Sequence, residues 1–178
     1  MLRKLFPLAA VACALATVAC GSSSSLNTNK LEQQIQRRLK AVGIRLKRIS
    51  CPKSRSLRRG DSFECHAIAR NGARLTVAVT QTSSKGNASW DVTSGIVDVA
   101  MVRKDIENDF ANVKPPDKPI NVNVDCGLPD TIAANDGDTF NCQVSNRDNP
   151  SDTTTVKVTV NSNSQTGRSF DWQPATSG

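Results

Sequence analysis

The sequence predicts an α+β fold built as two tandem units, each an N-terminal helix packed on a small antiparallel sheet with one internal disulfide. Three observations carry this expectation. The chain writes one segment twice: Cys51–Cys65 ends in Gly60-Asp61-Ser62-Phe63-Glu64-Cys65, and Cys126–Cys142 ends in Gly137-Asp138-Thr139-Phe140-Asn141-Cys142. The apolar residues Leu31, Ile35, Leu39 and Val42 recur 71 positions later as Val102, Ile106, Phe110 and Val113. Each cysteine segment is followed by a Val/Thr-rich run and then a tryptophan, Trp90 or Trp172. Self-similarity at a fixed offset marks a duplicated supersecondary unit. A helix-period pattern followed by strand-period runs gives a helix laid on an antiparallel sheet.

The chain divides into residues 1–19, 20–29, 30–97 and 98–178. Arg3 and Lys4 precede the apolar run Leu5–Ala16. That run falls short of the roughly 20 residues that span a bilayer, which suits a secretion signal. The segment Thr17-Val18-Ala19-Cys20, followed by Gly21 and four serines, resembles the bacterial lipoprotein box. The resemblance implies that diacylglycerol is attached to the Cys20 thiol and that cleavage leaves Cys20 first. The chain is then held by lipid at the outer face of the cytoplasmic membrane, in the cell envelope, with residues 20–29 as a polar, flexible tether.

In the first unit, residues 30–97, Asn29-Lys30-Leu31-Glu32 has the layout of a helix N-cap with Glu at the third position. The stripe Leu31, Ile35, Leu39 and Val42 marks one helix face, and Gly43 is the expected stop. Ile44 to Ser50 reads as a strand whose alternation slips before Ile49, a sign of a bulge or a poor edge. Phe63–Ala69 and Arg74–Thr80 form a hairpin around Asn71-Gly72. A two-residue turn would set Leu75, Val77 and Val79 on the side of Ile68, His66 and Glu64. One extra loop residue sets them with Phe63, Cys65 and Ala67, which gathers the cysteine and the aromatic into one core and is preferred. Ala88–Thr93, carrying Trp90, is the last strand.

In the second unit, residues 98–178, Asp98 is the expected N-cap. Lys114-Pro115-Pro116-Asp117-Lys118-Pro119 ends the helix. Ile120, Val122 and Val124 alternate with polar residues as a half-buried strand. Phe140–Ser145 and Thr155–Val160 form the hairpin around a longer polar loop, and Ser169–Gln173 carries Trp172. The recurrence of the two tryptophans at equivalent positions points to core packing rather than a sugar platform.

Setting aside Cys13 with the signal and Cys20 with the lipid leaves four cysteines, which allow three pairings. The repeat selects Cys51–Cys65 and Cys126–Cys142, and an exported unit of about 70 residues needs such a staple. A zinc site is not expected, since no C-x-x-C occurs and His66 is the one histidine. His66 beside Cys65 does not make a catalytic pair, because the thiol is spent in the disulfide and adjacent strand residues face opposite ways. No nucleophile elbow, HExxH or phosphate-binding glycine loop occurs, and no cofactor is expected. Asp125, Asp130, Asp136 and Asp138 lack calcium-loop spacing and read as turn formers.

Charge supplies the one sharp functional candidate. Residues 21–97 carry 14 Lys+Arg against 4 Asp+Glu, whereas residues 98–178 carry 7 against 12. Arg45, Lys47, Arg48, Lys53, Arg55, Arg58 and Arg59 bracket the first disulfide, while the matching segment of the second unit is rich in Asn, Asp and Ala. Such asymmetry points to an anionic partner: membrane headgroups, an acidic envelope polymer or an acidic protein. Nucleic acid is not expected after export, and the cluster has little aromatic interleaving.

Cys51-Pro52, Gly60, Phe63, Cys65, Val77, Val79, Gly86 and Trp90 together resemble a domain of unknown function found in actinobacterial cell-envelope lipoproteins and membrane-anchored proteins. In the second unit Gly127 stands in place of the proline, and the resemblance runs through Cys142 and Trp172. Taken over nearly all of the mature chain, it implies a secreted location and a disulfide, and no known activity. The expected function is therefore a non-enzymatic, lipid-anchored binding or adaptor protein. The alternatives are a protein inhibitor, by resemblance to the architecture of beta-lactamase inhibitory protein, and an enzyme of unrecognised type. A deep pocket with converging polar groups would favour the enzyme, an exposed apolar patch the inhibitor, and a basic face beside the tether the binding protein.

Overall fold

Helix α1 (Thr28–Ala41) starts at Asn27, whose side-chain oxygen accepts from the Lys30 backbone N–H at 2.9 Å. The cap is therefore two residues earlier than the Asn29–Glu32 pattern suggests. Glu32 is drawn away by the tertiary structure, where it accepts from the Cys51 backbone N–H at 2.8 Å. Leu31, Ile35 and Leu39 form the buried stripe, each contributing about 1.5–3 kcal/mol relative to exposure. Val42 does not join them and is 54% exposed. The helix ends at Gly43, with φ +88°, where Gly43 N–H donates to Lys40 O and Ile44 N–H donates to Leu39 O. This paired closure turns the chain back and puts Ile44 into the core in place of Val42.

The computed structural model describes residues 25–113, 119–161 and 169–175. The signal segment, Cys20 and most of the proline-rich connection after the second helix lie outside the described residues.

Strands β1 (Leu46–Ser50), β2 (Ser62–Ala69), β3 (Arg74–Gln81) and β4 (Ala88–Ser94) make an antiparallel sheet in that spatial order. The register of β1 on β2 shifts between Leu46 and Arg48, the bulge anticipated from the broken alternation. In the hairpin Phe63 faces Val79, Cys65 faces Val77 and Ala67 faces Leu75, as the longer turn requires. Arg70, Asn71 and Gly72 form that turn, with Gly72 at φ +93°.

Strand β5 (Ile96–Asp98) then leads directly into α2 (Val99–Ala111), capped by Asp98, whose side chain accepts from Met101 N–H at 3.0 Å. Val99, Val102 and Ile106 are buried; Phe110 is half-buried, and Val113 lies past the helix end. Ile120 falls outside the strand expected for it and is 38% exposed; its N–H donates to Phe110 O. Strands β6 (Val122–Asp125), β8 (Thr139–Asn146), β9 (Thr153–Val160) and β10 (Phe170–Pro174) form the second antiparallel sheet in the order β6-β8-β9-β10, matching the first sheet. Disulfides Cys51–Cys65 and Cys126–Cys142 join the same relative positions in the two units.

Strand β7 (Thr131–Ala133), which the sequence pattern did not single out, pairs with β5 through Ile96–Ala133, Val97–Ile132 and Asp98–Thr131. This small ribbon crosses the boundary drawn between residues 97 and 98. Around it, Asn71 donates its side-chain amide to Ala133 O at 2.8 Å, and Arg74 N–H donates to the Asn135 side chain at 2.9 Å. Ala133 packs into the core of the first unit. The two units thus meet where the first hairpin tip touches the second disulfide segment.

Candidate anion-binding surface

The segment from Cys51 to Asp61 is held at many points, which fixes where its basic side chains go. Cys51 is tied to Cys65. Ser25 bridges Ser56, and Leu26 N–H donates to Arg55 O at 2.7 Å, so the chain enters the fold beside this loop. Leu26 is buried, and residues from Ser25 onward belong to the folded unit rather than to a free tether. Gln81, fully buried at the end of β3, donates its amide to Ser56 O at 2.9 Å and to Asp61 Oδ2 at 3.3 Å. Its Oε1 accepts from Arg58 N–H at 3.3 Å. No sequence motif pointed to Gln81; its one sequence signal is a polar residue ending an otherwise alternating Val-rich strand.

Within this frame the seven basic residues have different fates. Arg55 is engaged internally: its guanidinium pairs with Asp61 at 2.8 Å and lies 5.1 Å over the Phe63 ring centroid. That makes it a strut between the loop and β2. Lys53 donates to the Asn29 side chain at 2.8 Å and stands 3.9 Å from Glu32, yet stays 65% exposed. Arg58 and Arg59 project from the loop into solvent, with no ion pair among the described residues. On the strand side the bulge separates the rest. Arg45 shares a depression of about 280 Å³ with Lys40 and Arg70. Arg48 shares another, of about 710 Å³, with His66 and Arg74 on the face of the sheet opposite the buried cysteine. Lys47 is exposed at the bulge. The structure therefore replaces one cluster with three basic sites, and adds Lys40, Arg70 and Arg74 to them.

Cys65 is fully buried in its disulfide while His66 is exposed, so no Cys–His pair forms. In the second unit two of the aspartates organise turns, Asp125 accepting from Gly127 N–H at 2.8 Å and Asp138 from Asn135 N–H at 2.7 Å, whereas the Asp130 side chain pairs with Arg103 on α2. The shared Gly-Asp turn has the same backbone bonding in both units. Gly60 N–H donates to Gln81 O, and Gly137 N–H donates to Val160 O.

A family model described as a domain of unknown function (DUF4333) matches residues 8–86, less than half of the chain. The matched stretch takes in Cys20, α1, β1, β2 and β3, stops before Trp90 and leaves out the second unit, so it is narrower than the resemblance anticipated from the sequence. No curated protein and no solved structure matches the chain. What the chain is similar to is thus a domain without an assigned activity, over the basic unit and the segment that leads into it.

Proposed function

We propose that this chain is a non-enzymatic, lipid-anchored binding or adaptor protein of the cell envelope, and that its basic first unit contacts an anionic partner. The observation that carries the proposal is the clamp of Ser25 and Leu26 onto Ser56 and Arg55. With lipid on Cys20, the five residues to Ser25 reach at most about 17 Å. The loop that bears Arg58 and Arg59 is then held next to the membrane surface, where each basic residue is worth about 1 kcal/mol against anionic headgroups. Membrane headgroups, an anionic envelope polymer and an acidic protein all present charge at that height. The unlike second unit, with its net negative balance, would face away from such a partner or repel it.

The test is capture from solubilised envelope by the immobilised mature chain, comparing wild type with Arg58→Glu/Arg59→Glu. Arg55 is left intact because its loss would free Asp61 and loosen the loop. Loss of captured material in the variant supports the proposal, and capture unchanged by the reversal of both charges refutes it.

A further inference from the structure

We propose that the seam between α1 and β4 is a binding groove for an anionic glycan chain. A depression of about 810 Å³ lies there, lined on the helix by Gln34, Arg37 and Arg38 and on the strand by Trp90. It borders a second depression of about 430 Å³ at Gln34 and Ala88, and that one is lined by Lys30 and Lys85. Together they make a trough along the helix with cations spaced down its length. Among the described residues no ion pair engages Lys30, Arg37, Arg38 or Lys85.

The second unit shows what this seam looks like when the protein fills it. There Trp172 stacks on Phe110, with ring centroids 5.6 Å apart and planes 15° from parallel. Its indole N–H donates to Asp109 Oδ2 at 3.1 Å. The helix caps Asn27 and Asp98 align the two units, and by that alignment Leu39 stands for Phe110 and Arg38 for Asp109. The ring and the acceptor that hold the tryptophan have both been exchanged, one for an aliphatic side chain and the other for a cation. Trp90 packs its inner side on the core and lines the groove with the rest, and its N–H meets no acceptor among the described residues. Both tryptophans are half-buried against their cores, as the sequence pattern leads one to expect, and they differ in that Trp172 has its ring and N–H partnered by the helix.

The groove's chemistry selects its ligand. An indole face takes the C–H face of a pyranose ring. Guanidinium groups bind carboxylate or sulfate through paired N–H donors. Asp91 follows Trp90 on the strand and is paired with Ala78, so its side chain faces the other side of the sheet and the charged side chains of the groove are cations. A flat bilayer surface cannot follow a trough, whereas a linear polymer can. The groove shares no residue with Arg58 and Arg59, so this inference goes beyond the proposal above and the two fail separately.

Isothermal titration of the mature chain carrying Cys20→Ser, with an oligogalacturonate and with a neutral malto-oligosaccharide of equal length, tests it. The acidic oligomer is expected to bind saturably and the neutral one at least about tenfold more weakly. Arg37→Gln and Arg38→Gln should each weaken binding about tenfold, and both side chains are exposed, so the fold is spared. Trp90→Leu should weaken it while keeping the apolar packing, and Arg58→Gln/Arg59→Gln should leave it unchanged. Absence of saturable binding overturns the proposal. So does binding that survives the Arg37 and Arg38 changes but falls with Arg58 and Arg59, an outcome that would favour the loop. Displacement of the oligomer by phosphatidylglycerol vesicles at equal charge, dependent on Arg37 and Arg38, would overturn the glycan assignment in favour of headgroups.

Discussion

Gln81→Val is the most informative single change in this fold, because the second unit already carries the substitution. Val160 occupies the same station: it exchanges backbone bonds with Gly137 and Asp138 just as Gln81 does with Gly60 and Asp61. The first unit differs in using the buried amide to hold the basic loop. Replacement by valine strands Ser56 O and Arg58 N–H, and removes one contact to Asp61. Each stranded group costs about 1–3 kcal/mol when buried. One bond is short at 2.9 Å and two are long at 3.3 Å, all only partly buried, which places the loss at about 2–3 kcal/mol. Native-state hydrogen exchange reads each unit separately. The Val77 and Val79 amides should exchange roughly thirty- to hundredfold faster, with β8 and β9 little affected. A change below about threefold, or one spread equally over both sheets, would refute the claim that Gln81 anchors the loop.

Reducing the first bridge by Cys51→Ser/Cys65→Ser should lower stability by about 3 kcal/mol, from the loop entropy restored to the unfolded chain, as read by urea unfolding. In mass spectra the mature chain should gain four hydrogens on reduction, two for each bridge, and should carry diacylglycerol on Cys20. Gly95→Ala should destabilise the junction of the two units by at least about 2 kcal/mol. The glycine has φ +86°, and an added Cβ would meet Arg74 O at 2.1 Å. Thermal unfolding that matches wild type would contradict this.

Much of the fold was legible because the chain repeats itself. The helix stripe recurs at a constant offset, and the caps Asn27 and Asp98 keep that offset in the structure. The Gly-Asp turn and the cysteine that follows it set both disulfides and the hairpin faces. What escaped the sequence depends on contacts between distant segments. Asn27 and Asn29 are equally good caps by type, and burial of Leu26 and Thr28 decides between them. Val42 and Ile120 continue apolar patterns past the point where the chain turns away. The β5–β7 ribbon consists of two three-residue strands, too short to show a period. At the candidate surface, basic residues close in sequence are divided by a bulge and a disulfide loop, and Arg55 is consumed by Asp61 and Phe63. The trough along α1 drew on Arg37 and Arg38, which the helical pattern marked only as lying off the buried stripe.

Salt-dependent sedimentation of the Cys20→Ser chain with isolated envelope tests the central claim most directly, since the lipid no longer masks the protein's own contacts. Reversing Arg58 and Arg59 to Glu should release the chain at low salt. The same charge change in the second unit, Lys104→Glu/Lys157→Glu at two exposed positions, should leave it bound. Equal release by the two pairs would mean that net charge alone governs attachment, and would contradict a binding face on the first unit.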